Sequence, residues 1–93
     1  MGQYSLDLTD RAKRELAAHS KVGDKNTINR IERIMEELAE HPTTGFASPE
    51  QLKGNLSGLW SRQINKKDRL IYSINDSEVT VLVISAKGHY NDK

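Results

Sequence analysis

The sequence predicts an α+β fold, β-α-α-β-β-β, in which a curved and mainly antiparallel sheet carries an αα-hairpin on one face. Three observations predict it. Tyr4, Leu6 and Leu8 alternate with Ser5, Asp7 and Thr9, the period-2 pattern of a half-buried strand. Ile28, Ile31, Ile34, Met35 and Leu38 recur at steps of three and four, the spacing of one helix face. The second half then holds three strand-like segments joined by the short polar links Lys66-Lys67-Asp68 and Asn75-Asp76-Ser77.

Each element has its local reason. Thr9-Asp10 supplies an N-cap, because a hydroxyl or carboxylate there accepts an otherwise unpaired backbone N–H. The first helix should run over about 10–21, with Ala12, Leu16 and His19 on its inner side. That apolar face is thin, so the helix must lean on a neighbour. Val22-Gly23-Asp24 closes it and caps the second helix, whose outer faces carry Arg30, Glu32, Arg33, Glu36, Glu37 and Glu40. Pro42 stops that helix, since it has no N–H and disfavours helical geometry before it.

Thr43 to Glu50 reads as a loop. Strands are expected at about Leu59–Asn65, Leu70–Asn75 and Glu78–Ala86, forming a meander. One face of so small a sheet needs a lid, and the helical hairpin is the available one. The other face is then free to be concave and polar. Trp60 fits the core, or a contact with a protein partner.

Composition narrows the chemistry. At 93 residues the chain is expected to be one domain, residues 1–93. It has no cysteine, which rules out a disulfide framework, a thiolate nucleophile and sulfur-ligated zinc. The longest apolar run, Val79 to Ile84, has the length of a strand and not of a membrane span. The N-terminus lacks the apolar core of a secretion signal, and Leu6 stands where myristoylation of Gly2 would need Ser or Thr. A soluble, cytoplasmic protein is expected. The net charge of +1 hides an asymmetry: residues 1–50 hold 7 Lys/Arg against 9 Asp/Glu, and residues 51–93 hold 7 against 4. An anionic ligand would therefore sit on the second half.

The blocks PEQLKGNLSGLWSRQI, DRLIY and GHY, at residues 49–64, 68–72 and 88–90, are where the chain resembles a known family. They are similar to the YoeB/Txe group of toxins within the RelE/ParE superfamily, and the likeness extends upstream to the helix around Asp24–Leu38. The resemblance implies a RelE-like fold related to the microbial ribonucleases. It also implies the toxin of a bacterial toxin–antitoxin pair, a metal-independent and cofactor-free endoribonuclease cutting mRNA in the ribosomal A site. Its partners would be a cognate antitoxin, the ribosome and mRNA, with no membrane involved; a homodimer is compatible with the family. By position, Glu50 matches the family's general base, His89 its general acid and Arg69 the arginine on the scissile phosphate. Tyr90 matches its terminal tyrosine, and Lys53 a basic residue of the motif. Gln63 stands where relatives can have a second arginine, and Asn91-Asp92-Lys93 extend beyond the His-Tyr.

The chemistry suits these residue types. RNA is cut when its 2′-hydroxyl attacks the adjacent phosphorus, which calls for a base, an acid for the departing 5′-oxygen, and cations between them. A histidine, with an ordinary pKa of about 6.5, can supply protons near neutrality. An arginine offers a planar fork to two phosphate oxygens. Arg62, Lys66, Lys67 and Lys87 join Lys53 as candidate RNA-backbone contacts.

Plainer readings stand beside these. Glu50 can be a surface or capping carboxylate, His89 a surface histidine, and Arg69 an ion-pair partner of Asp68 or Asp76. Tyr90 can pack its ring on the sheet, and the lysines can be a solvated face. Two other functions share the scaffold: a ParE-like toxin acting on a protein target such as gyrase, and a catalytically silent paralogue kept for antitoxin binding.

Overall fold

The computed structural model describes residues 3–88. Its elements are β1 (Ser5–Leu8), α1 (Asp10–Val22), α2 (Lys25–Glu40), β2 (Glu50–Gln51), β3 (Leu59–Gln63), β4 (Arg69–Asn75) and β5 (Thr80–Ser85), with a short 3₁₀ turn at Gly54–Leu56. One sheet contains all the strands in the order β1-β5-β4-β3-β2. The α+β class and the helical hairpin agree with the sequence. The two-residue β2 was expected to be loop; it is a strand only through its pairing with β3, Glu50 opposite Ser61 and Gln51 opposite Trp60.

The sheet is mixed. β2 to β5 pair antiparallel with one another, whereas β1 pairs parallel with β5, Ser5 opposite Thr80 through Leu8 opposite Val83. Parallel neighbours need a crossover, and here everything between β1 and β5 provides it. β3 and β5 are also shorter than expected at their ends, whereas β4 begins one residue earlier, at Arg69. Asn65 Oδ1 accepts the N–H groups of Lys67 and Asp68, which starts a turn before β3 reaches Asn65. Val79 has φ +52°, a left-handed conformation that keeps it out of β5.

Capping follows the sequence. The Thr9 side chain accepts from Ala12 N–H, and its hydroxyl donates to the Ile84 carbonyl at 2.7 Å. Asp24 accepts from Asn26 N–H and the Thr27 hydroxyl. Gly23, at φ +79°, ends α1 in the left-handed geometry that glycine tolerates best. Both helices lie on one face of the sheet, where Ile34 and Leu38 of α2 and Ala12 of α1 meet Leu70, Tyr72, Val81 and Val83. A β-bulge between Ile71 and Tyr72 in the β4–β5 pairing shifts the register, so that Ser85 lies opposite Ile71 while Ala86 enters the core.

Arg62 departs most from its expected place. It was a candidate RNA contact, yet it is fully buried on the helix side of β3. Every guanidinium donor has a partner. Nε donates to the Tyr72 hydroxyl, Nη1 to Glu37 Oε1 (2.8 Å) and the Phe46 carbonyl, and Nη2 to the carbonyls of His41 and Thr44. With no donor left and no exposed surface, it cannot hold a phosphate. It instead ties β3 to the end of α2 and to the loop that leads into β2. Tyr72 adds a bond from its hydroxyl to the Pro42 carbonyl at 2.6 Å. Gly45 is required beside this network, because a Cβ there would lie 2.2 Å from Glu37 Oε1.

Arg62→Met should therefore cost about 3–5 kcal/mol in urea unfolding, since it strands carbonyls and a carboxylate that were built around a charge. Arg62→Lys, with three donors and no planar fork, should recover only part of that. Glu37 adds a pH signature. Burial pushes its pKa up, but the Phe46 N–H, the Arg62 hydrogen bond and charge, and the Arg33 charge outweigh this and hold it below the ordinary value. A depressed carboxylate pKa gives stability that is complete above the unfolded-state value, about 4.3, and is lost as pH falls through the native one. Urea midpoints measured from pH 6 downward should fall in that acid window, and the fall should be shallower in Glu37→Gln.

Candidate active site

The sheet face turned away from the helices carries the candidate site. Strand parity puts it there. Gln63 lies opposite Arg69 and Ser61 opposite both Ile71 and Glu50, so these side chains project to the same side, while Arg62 and Leu70 project to the other. Arg69 Nη1 lies 3.7 Å from Glu50 Oε1 and 3.4 Å from Ser61 Oγ. The Glu50 side chain is about half exposed, that of Arg69 about one-fifth, and Ser61 is fully buried. The arrangement is a carboxylate and a guanidinium side by side on an open face, with a hydroxyl beneath the guanidinium.

The approach to Glu50 is constrained. Ala47 and Ser48 both take left-handed backbone angles, φ +71° and +53°, just before Pro49. Such angles are unfavourable for residues other than glycine, and the residue before a proline prefers extended geometry. The surroundings hold them: Ala47 is buried in the core, and its carbonyl accepts the Gln63 N–H at 2.9 Å. The same carboxylate that holds Arg62, Glu37, also accepts the Phe46 N–H. On the outside, Phe46 packs beneath the guanidinium groups of Arg33 and Arg30, 3.9 and 4.7 Å from the ring centroid.

On the opposite flank, the chain returns to Arg69 after β5. The Arg69 N–H donates to the Gly88 carbonyl at 3.0 Å, and the Gly88 N–H donates to Asp68 Oδ1 at 2.9 Å. His89 and Tyr90, the expected acid and its neighbour, lie outside the described residues, as do Asn91, Asp92 and Lys93. Lys53 is exposed three residues beyond Glu50, and Lys66 and Lys67 are exposed on the β3–β4 turn. Lys87 is exposed at the rim of a cavity of about 200 Å³, lined also by Arg11, Leu56, Leu59, Ile71 and Ile84.

Sequence reasoning missed three residues here. Ser61 gave no signal, because its position under Arg69 depends on the β2–β3–β4 register. Asp68 was a turn residue or an ion-pair partner for Arg69; it is buried and accepts from Gly88 and Asn65 instead. Arg11 lay on a helix with no chemistry assigned. Asp76, the other suggested partner of Arg69, accepts from the Tyr4 hydroxyl.

Comparison with known proteins agrees with this architecture. Residues 12–90 match the family model of the YoeB-like toxin of bacterial type II toxin–antitoxin systems. Toxin YoeB from Synechocystis is 45% identical over 67 residues, 72% of this chain and 76% of that protein. Among solved structures, a YoeB/ParE toxin from Agrobacterium tumefaciens superposes with a TM-score of 0.84 at 27% identity, over 92% of this chain and 99% of that one. The toxin of a YoeB–YefM complex from Staphylococcus aureus gives 0.78 at 26% identity, over 94% and 98%. The family model spans most of the chain, and the chain belongs to the YoeB-like toxins of bacterial type II toxin–antitoxin systems.

Proposed function

We propose that this toxin is a ribosome-dependent endoribonuclease that cuts mRNA without a metal ion. The single observation that carries the reading is the placement of Arg69 Nη1 3.7 Å from Glu50 Oε1 on an open sheet face. A base must sit within one small anion's width of the cation that binds the phosphate, and these two groups do.

Glu50 takes the proton of the 2′-hydroxyl as that oxygen attacks the adjacent phosphorus. The bond from phosphorus to the 5′-oxygen breaks, and the departing oxygen takes a proton from the imidazolium of His89. The products are a 2′,3′-cyclic phosphate and a 5′-hydroxyl. Arg69 donates to the non-bridging oxygens, whose negative charge grows in the transition state. Its contact with Glu50 is long and half-exposed, so a phosphate can replace it at small cost. Tyr90 positions the RNA, and Lys53, Lys66, Lys67 and Lys87 meet its backbone or that of ribosomal RNA. Arg62 makes no such contact, because its donors are spent inside the fold.

A cognate antitoxin restrains the toxin. The S. aureus relative was solved in complex with YefM, and an antitoxin segment that folds on binding would cover the open face. A YoeB dimer from the same organism makes self-association a second arrangement for this chain. Among the described residues no helix is long and apolar enough to cross a membrane. The setting in this reading is the cytoplasm, where translating ribosomes are.

Glu50→Gln should lower cleavage of a ribosome-programmed mRNA by about 10²–10⁴-fold. The same substitution should shift urea unfolding by less than about 1 kcal/mol, because the ion pair it removes is long and half-exposed on the Glu50 side. A large loss of stability would instead make Glu50 structural. End-group analysis should find cyclic phosphate and 5′-hydroxyl termini, undiminished in EDTA; cleavage abolished by EDTA overturns the metal-free mechanism. His89→Ala should relieve growth arrest on expression, and full toxicity would remove His89 from the acid role. Growth arrest with no cut transcripts would point to a protein target.

A further inference from the structure

Beyond β5 the backbone is held more tightly than a strand end requires. Glu15 Oε1, on α1, accepts both the Ala86 N–H at 2.7 Å and the Lys87 N–H at 3.1 Å. His19 Nε2, one turn further along α1, is 2.8 Å from the Ala86 carbonyl. Gly88 is held from the other side, its N–H on Asp68 Oδ1 and its carbonyl on the Arg69 N–H. Five hydrogen bonds thus fall on three consecutive residues, and Gly88 turns the chain at φ +79°.

These are costly groups to place there. Asp68 is 4% exposed and His19 7% exposed. A buried carboxylate is tolerated only where donors compensate it, and Asp68 finds them in Gly88 and in the Asn65 amide. Residues following the last strand of a domain ordinarily fray, with their N–H groups bonded to water. Here two carboxylates from separate elements meet those N–H groups. Glu15 is held ionised by the arrangement: burial pushes its pKa up, but Arg11 and the Ala86 and Lys87 N–H groups bring it below the ordinary value.

We propose that Glu15 and Asp68 are positioning residues, a clasp that fixes where the segment following Gly88 leaves the sheet beside Arg69. The next residue in the chain is His89, so the clasp sets the origin of the acid relative to the phosphate clamp. This inference rests on the nuclease reading above. Neither carboxylate touches RNA; both act through the backbone of Ala86 to Gly88. A misplacement of about 1 Å at a reacting group can cost on the order of 10²-fold in rate.

The test compares full-length wild type, Glu15→Ala, Asp68→Ala and Glu15→Gln on mRNA-programmed ribosomes, alongside amide hydrogen exchange at residues 86–88. Glu15→Gln keeps an acceptor oxygen for Ala86 and Lys87 and loses only the exposed Arg11 pair. The expected result is that both alanine variants lose protection at these amides and on the order of 10-fold to 10²-fold in kcat, with KM nearly unchanged. Glu15→Gln should restore most of both. A variant that does not fold is set aside by its amide spectrum, leaving the Gln variant and the other carboxylate to decide. Loss of protection with kcat unchanged overturns the clasp and leaves the nuclease reading standing. So does an equal loss of kcat in Glu15→Gln with protection intact. Wild type that cuts no RNA overturns both.

Discussion

The structure depends on one buried guanidinium. Arg62 carries five donors into the core, and the fold answers each with an oxygen from Glu37, Tyr72 or the loop after α2. A charge in that position is tolerable only when it is paired and fully hydrogen-bonded. The arrangement therefore fixes several things together: where α2 stops, how the loop from His41 to Phe46 folds back, and where β2 begins. Glu37 bridges Arg62 and the Phe46 N–H, so the helix, the loop and the central strands share one polar centre. The position of Glu50 on the far face is inherited from this anchor, through the left-handed residues Ala47 and Ser48 and the bond from Gln63 to Ala47.

The two arginines of the β3–β4 hairpin show how strand parity divides labour. Arg62 and Leu70 face the helices, whereas Gln63 and Arg69 face outward. The same residue type serves as a structural cross-link on one side and as a partly exposed cation on the other. What separates them is which face of a two-layer fold each pleat presents. Charge counts along the sequence cannot see that difference, and the basic excess of residues 51–93 includes an arginine that contributes nothing to the surface.

Much of the fold was legible because it is written locally. The Thr9 and Asp24 caps, the Ile28–Leu38 periodicity and the Pro42 stop each depend on neighbours within a turn or two. The features that escaped are those set across long sequence separations. β2 exists only as a partner of β3, and the parallel β1–β5 pairing leaves no local pattern. Arg62 could have been read correctly: it stands two residues from Trp60, and the two share the buried side of β3. Asp68 could not, since its partner Gly88 is 20 residues away and the turn composition explained it well enough. Glu50 and Arg69 were named through the motif, and their adjacency follows from a three-strand register that the sequence leaves open.

The pairing of β1 with β5 has a kinetic side. Ser5 meets Thr80 and Thr9 bonds to Ile84, so the opening strand is docked by contacts spanning about four-fifths of the chain. Ordering that much polypeptide before any pairing is gained makes this a late event, whereas the β3–β4–β5 meander forms from neighbouring segments. β1 is also an edge strand, tied to the sheet along one side only. The seam between the first strand and the last should be the slowest part of the molecule to close. Partial unfolding should likewise start at this seam, since an edge strand is tied to the sheet along one side only.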